Sequence, residues 1–134
     1  MKRPFIMVAP NGARRSKEDH SSLPISIAET VATTAASFKA GANALHLHIR
    51  DTNGKHSLDV GLYQEALAEL SWQVPELDVQ VTTESAGIFE VEDQLKCLEE
   101  LQPSWASISV REIARAPHLA ARLYGACADQ GTKV

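Results

Sequence analysis

Apolar and polar positions along the chain switch between two periods. Phe5-Ile6-Met7-Val8-Ala9 is a short β-prone run closed by Pro10-Asn11-Gly12, which predicts a first strand. Residues 14–24 are polar and read as a loop. Ser26-Ile27-Ala28-Glu29 has capping-box spacing and opens a helix to about Ala40, with Gly41 placed to stop it. A second strand is predicted from Asn43 to Arg50, ending in the turn residues Asp51-Thr52-Asn53-Gly54. Leu62, Ala66 and Leu70 share a face of a helix from about Val60 to Leu70. Val79–Thr83 is a third strand, Val91–Leu101 a third helix, Trp105–Val110 a fourth strand and Pro117–Ala128 a fourth helix.

The chain therefore reads as four βα units. Strands joined by helices run parallel with right-handed crossovers. Strand spacing is close to the roughly 30 residues per unit of a (β/α)₈ TIM barrel of about 250 residues. Facing sharpens this reading. Leu45, Leu47 and Ile49 oppose Ala44, His46, His48 and Arg50. Val79, Val81 and Thr83 oppose Gln80, Thr82 and Glu84. Ala106, Ile108 and Val110 oppose Ser107, Ser109 and Arg111. A doubly wound sheet would be apolar on both faces. A polar face under helical crossovers instead suits a barrel lumen, with its polar residues near the C-terminal strand ends.

With 134 residues, the chain fits one domain, 1–134. Its 44% hydrophobic and 22% charged residues are ordinary for a soluble protein. The net charge of −4 argues against nucleic acid or an anionic membrane as partner. No apolar run approaches the roughly 18 residues of a membrane span. The basic-then-apolar start, Met1 to Val8, is too short for a signal peptide and is read as strand. Cys97 and Cys127 both fall in helical patterns and are expected as a reduced pair in a cytoplasmic protein.

The candidate chemistry lies at the strand ends. His46 and His48 project to the same side of one strand and could share a metal ion, zinc being the first choice; two hydrogen-bonded interior histidines are the alternative. Glu84 is a candidate ligand, base, or ion-pair partner of Arg50 or Arg111. Thr82 and Ser109 offer hydroxyls to a substrate oxygen. Arg14 and Arg15 follow the first strand and suit a carboxylate or phosphate, although surface arginines are common. His20 and His118 are expected in solvent, and His56 follows the turn after the histidine strand.

Three segments together resemble the β-keto acid cleavage enzyme family (3-keto-5-aminohexanoate cleavage enzyme-like). They are Ala9-Pro10-Asn11-Gly12-Ala13-Arg14-Arg15 continuing to Leu23-Pro24, Ala40-Gly41-Ala42 with Leu45-His46-Leu47-His48-Ile49-Arg50-Asp51, and Gln80-Val81-Thr82-Thr83-Glu84. The resemblance implies a (β/α)₈ barrel, of which residues 1–134 would be the N-terminal half. It also implies an oligomer, and a divalent metal, typically zinc, on His46 and His48. The implied reaction is that of a β-keto acid with acetyl-CoA, giving acetoacetate and a new acyl-CoA. The residues assigned to the site are Thr82 and Glu84 for catalysis, Asn11, Arg14, Arg50 and Ser109 for substrate binding, and His46 and His48 for metal.

Two departures stand out. Arg14 occupies a position where the enzyme of the aminated substrate has a glutamate, so an anionic or polar β-keto acid is expected. Ser109-Val110-Arg111-Glu112 replaces a smaller Asn/Gly-containing turn. By resemblance, a third metal ligand and further catalytic residues belong to the other half of the barrel, so the chain alone is expected to form an incomplete site. Two other readings compete. One is a metal-dependent aldolase or hydrolase barrel that works without CoA. The other is a non-catalytic half-barrel that binds metal, or pairs through its open edges with a copy or a C-terminal half-barrel.

Overall fold

A computed structural model describes residues 4–134; residues 1–3, the basic start of the signal-like run, lie outside the described residues. In chain order the elements are β1 (Met7–Val8), α1 (Ile27–Lys39), β2 (Ala44–Leu47), β3 (Ile49–Arg50), β4 (His56–Ser57) and α2 (Val60–Gln73). They continue as β5 (Asp78–Thr82), α3 (Val91–Leu101), β6 (Ala106–Ser107), α4 (Val110–Ile113) and α5 (Pro117–Gln130). The fold is α/β. Its main sheet has the order β1-β2-β5-β6, with every neighbouring pair parallel.

Local chemistry explains the helices. The Ser26 hydroxyl accepts from Glu29 N while Glu29 returns to the Ser26 amide, completing the predicted capping box. Asp59 caps α2 by accepting from Leu62 N, and α2 continues three residues past the predicted Leu70. Gly131 ends α5 in the left-handed conformation. Leu45 and Leu47 from β2 and Val81 from β5 pack with Tyr63 and Leu70 of α2, Leu98 of α3 and Leu123 of α5, all at most 1% exposed. Each such side chain contributes about 1.5–3 kcal/mol of transfer free energy.

Three predicted strands are trimmed, and two elements are new. The first shrinks to Met7–Val8, leaving Phe5 and Ile6 exposed. The second stops pairing with the sheet at Leu47. Ile49-Arg50 then turns antiparallel against His56-Ser57. Asp51 drives this hairpin: its carboxylate accepts from the Asn53 and Lys55 amides, and its own amide donates to Lys55 O. The fourth stops at Ser107, so the strand expected through Val110 is corrected. The Ser109 hydroxyl accepts from Glu112 N and opens α4 instead, with Val110 at 73% exposure. Beyond β6, Trp105 forms a parallel bridge with Lys133, and Ala106 N donates to Lys133 O.

Candidate functional site

His46 stands opposite Gln80 in the β2–β5 ladder, and its Nδ1 lies 2.7 Å from Gln80 Oε1. A carbonyl oxygen only accepts, so the bond assigns the proton to Nδ1 and leaves the Nε2 lone pair free. His48 is buried, with its ring 4.9 Å from that of His46 and 5.4 Å from that of His56. Burial first, then the neighbouring His46, His56 and Arg50, lower its pKa to about 3. His48 is therefore neutral near pH 7. Its Nδ1, 4.0 Å from Glu84 Oε2, is a close approach to a carboxylate rather than an ion pair, and it is buried without a hydrogen-bond partner.

From the last residue of β5 onward, three consecutive carbonyls are each held by a donor from a different element. Tyr63 Oη donates to Thr82 O at 2.7 Å, Gln94 Nε2 to Thr83 O, and His56 Nε2 to Glu84 O at 2.7 Å. Ser85 is gripped by Glu112, whose carboxylate accepts from its amide and its hydroxyl. The Thr82 hydroxyl oxygen accepts from Glu84 N, which leaves its own proton free to donate. The Glu84 carboxylate reaches Arg14 Nη2 at 3.2 Å. The ion-pair partner is thus Arg14, from the β1 loop, rather than Arg50 or Arg111.

Arg50 is buried and turned toward backbone. Nη1 donates to Gly54 O, and Nη2 approaches the carbonyls of Asn11, Gly12 and Arg15. Asn11 is also buried; its Nδ2 donates to His48 O, and its Oδ1 has no partner. Ser109 is exposed at the start of α4, and Arg111 follows it on the same short helix, not on a lumen-facing strand. His20 and His118 are exposed as expected, and both cysteines are free and buried.

The structure thus gathers Asn11, Arg14, His46, His48, Thr82 and Glu84 at the C-terminal strand ends, with Arg50 beside them in the loops. Among the described residues, no group of three His, Cys, Asp or Glu side chains forms a metal cage, and no helix is long and apolar enough to cross a membrane. Sequence reasoning left the role of His56 open and missed Gln94, Tyr63 and the grip of Glu112 on Ser85. Only Glu112 carried a signal, the Ser109-x-x-Glu112 spacing of a helix start.

The sequence pattern of the beta-keto acid cleavage enzyme family matches residues 4–132. The chain is 33% identical over 79 residues to a 3-oxoadipate:acetyl-CoA acetyltransferase of Cupriavidus necator, covering 59% of this chain and 28% of that protein. It is 28% identical over 104 residues to a 3-keto-5-aminohexanoate cleavage enzyme of Fusobacterium nucleatum, covering 78% and 36%. It is also 28% identical over 107 residues to a 3,5-dioxohexanoate:acetyl-CoA acetone transferase of Paraburkholderia graminis, covering 79% and 34%. The chain spans about a third of the length of these curated relatives. A match running through nearly every described residue, with the paired histidines inside it, places the chain in the beta-keto acid cleavage enzyme family.

Proposed function

We propose that the protein carrying this chain condenses a β-keto acid with acetyl-CoA and cleaves the adduct, giving acetoacetate and a new acyl-CoA. In this reading residues 1–134 form the first half of a (β/α)₈ barrel in a cytoplasmic, oligomeric enzyme. The sequential parallel order β1-β2-β5-β6 supports the barrel. Exposed Phe5, Trp72, Ile88 and Val110 supply apolar surface for assembly.

The observation that carries the reading is the pair His46 and His48 beside Thr82 and Glu84, in a chain of this family. The donor set suits a divalent cation such as zinc. His46 keeps Nε2 for a cation because Gln80 takes Nδ1, and neutral His48 turns its unpaired Nδ1 toward the Glu84 carboxylate, which leaves Nε2 as its donor atom. Such a cation, when bound, supplies Lewis acidity toward the keto carbonyl and the enolate charge that develops from it. The chain's own groups do the rest. Thr82 donates its hydroxyl proton to a substrate oxygen. Glu84 moves a proton at the reacting carbon. Asn11 fixes His48 by donating to its carbonyl at the floor of the substrate site, and Ser109 offers a hydroxyl from the rim. Arg50 shapes the loop that carries Arg14.

Arg14 points to an anionic β-keto acid, because a guanidinium pairs with carboxylate. The relative named for 3-oxoadipate, a dicarboxylate, supports that choice. The test incubates the full-length protein and 3-oxoadipate with and without acetyl-CoA, measures acetoacetate, and determines bound zinc. CoA-dependent acetoacetate is expected. Its absence across a panel of β-keto acids would overturn the reading, and cleavage without CoA would move the protein to the aldolases or hydrolases.

A further inference from the structure

Arg50 and His56 face each other in the β3–β4 register and bond to two different loops. Arg50 holds the β1 loop through the carbonyls of Asn11, Gly12 and Arg15. His56 holds the β5 loop through Glu84 O. Arg14 and Glu84 then join those two loops side chain to side chain, closing a ring around the mouth of the site. His56 is buried, wedged between the rings of His48 at 5.4 Å and Phe89 at 5.9 Å. Nε2 donates to Glu84 O, and Nδ1 is buried without a partner. The bond falls on the backbone of the residue whose carboxylate stands 4.0 Å from His48 Nδ1.

We propose that His56 is a positioning residue that sets the Glu84 carboxylate against His48 and so tunes the affinity of the histidine pair for a divalent cation. The inference rests on the reading of His46 and His48 as metal ligands. His56 itself neither ligates nor touches substrate; it acts through the Glu84 carbonyl. Outer partners of metal-binding histidines typically govern about 10- to 100-fold in affinity, and a group one step further out should govern about 3- to 10-fold.

The experiment uses the full-length protein, with zinc alone as probe, titrated in competition with a chromophoric chelator. His56→Leu removes the donor, and His56→Gln keeps an N–H that can reach the carbonyl. The expected result is a 3- to 10-fold weaker zinc affinity for H56L, recovery in H56Q, and no further loss when H56L is added to Glu84→Gln. Hydrogen exchange over Thr83–Phe89 should quicken in H56L and recover in H56Q. Should H56L not fold, His56→Asn, whose amide stops short of the carbonyl, replaces it. Wild-type affinity and exchange in H56L would overturn the proposal, as would an equal loss in the E84Q background. If the wild-type protein binds no zinc, the metal reading fails, and the exchange comparison still decides whether His56 holds Glu84.

Discussion

Removing the hydroxyl of Tyr63 tests whether the β5 end is held from beneath by α2. Tyr63 is 0% exposed, and its Oη lies 2.7 Å from Thr82 O. Burial raises its phenol pKa well above the ordinary value, so it stays a donor across the working pH range. Tyr63→Phe preserves the ring in the core and deletes only the bond. A net hydrogen bond contributes about 0.5–1.5 kcal/mol, and a buried carbonyl left short of a donor adds to that, giving a loss of about 1–2 kcal/mol. With a urea slope of about 1.5 kcal/mol/M, the midpoint should fall by about 0.7–1.3 M at unchanged slope. The thermal midpoint of a unit of this size should fall by about 4–7 °C. Urea unfolding followed by circular dichroism gives both midpoint and slope. A loss below about 0.3 kcal/mol would show that Thr82 O does not depend on Tyr63, and would remove α2 from the support of the site.

Glu29 is expected to make the start of α1 acid-sensitive. The Lys17 ammonium first, then the Ile25 and Ser26 amides, lower its pKa from 4.5 to about 2. Because the folded value is depressed, its contribution is complete above pH 4.5 and is lost as pH falls toward 2; Glu29→Gln should flatten the stability profile in that window, and an unchanged profile would contradict the assignment. Gln80→Leu should free His46 Nδ1 and weaken zinc binding by about 10- to 100-fold, read by chelator competition. Arg14→Glu should shift preference from 3-oxoadipate toward a cationic β-keto acid by about tenfold in relative kcat/KM, the size expected of one exposed charge-assisted contact. An unchanged preference would remove Arg14 from substrate recognition.

Much of the layout was legible because it rests on local chemistry. Ser26 and Glu29 announce a helix start in four residues, and the apolar faces of Leu45-Leu47 and Val79-Val81 fix which side the helices cover. The His-Leu-His spacing announces a shared face. The β3–β4 hairpin was not legible, because His56-Ser57 carries no apolar alternation, and His56 is buried only by distant partners, Phe89 and His48. The short helix α4 was masked for a different reason. Ile108 and Val110 continue the strand alternation by identity, while the Ser109 cap reverses the backbone. The partner of Glu84 depended on the course of the β1 loop, which is set by Arg50 from a position 35 to 39 residues later in the chain.

That separation has a kinetic consequence. The carbonyls of Asn11, Gly12 and Arg15 cannot meet the Arg50 guanidinium until β1 has docked on β2, so closing this loop must follow the long-range pairing rather than nucleate it. A guanidinium stays charged at every physiological pH, so once made, the clasp has no acid- or base-sensitive step. Residues 11–15 are therefore expected to order after β1 has paired, and Arg50 then holds them together with the Asn11–His48 and Arg14–Glu84 contacts.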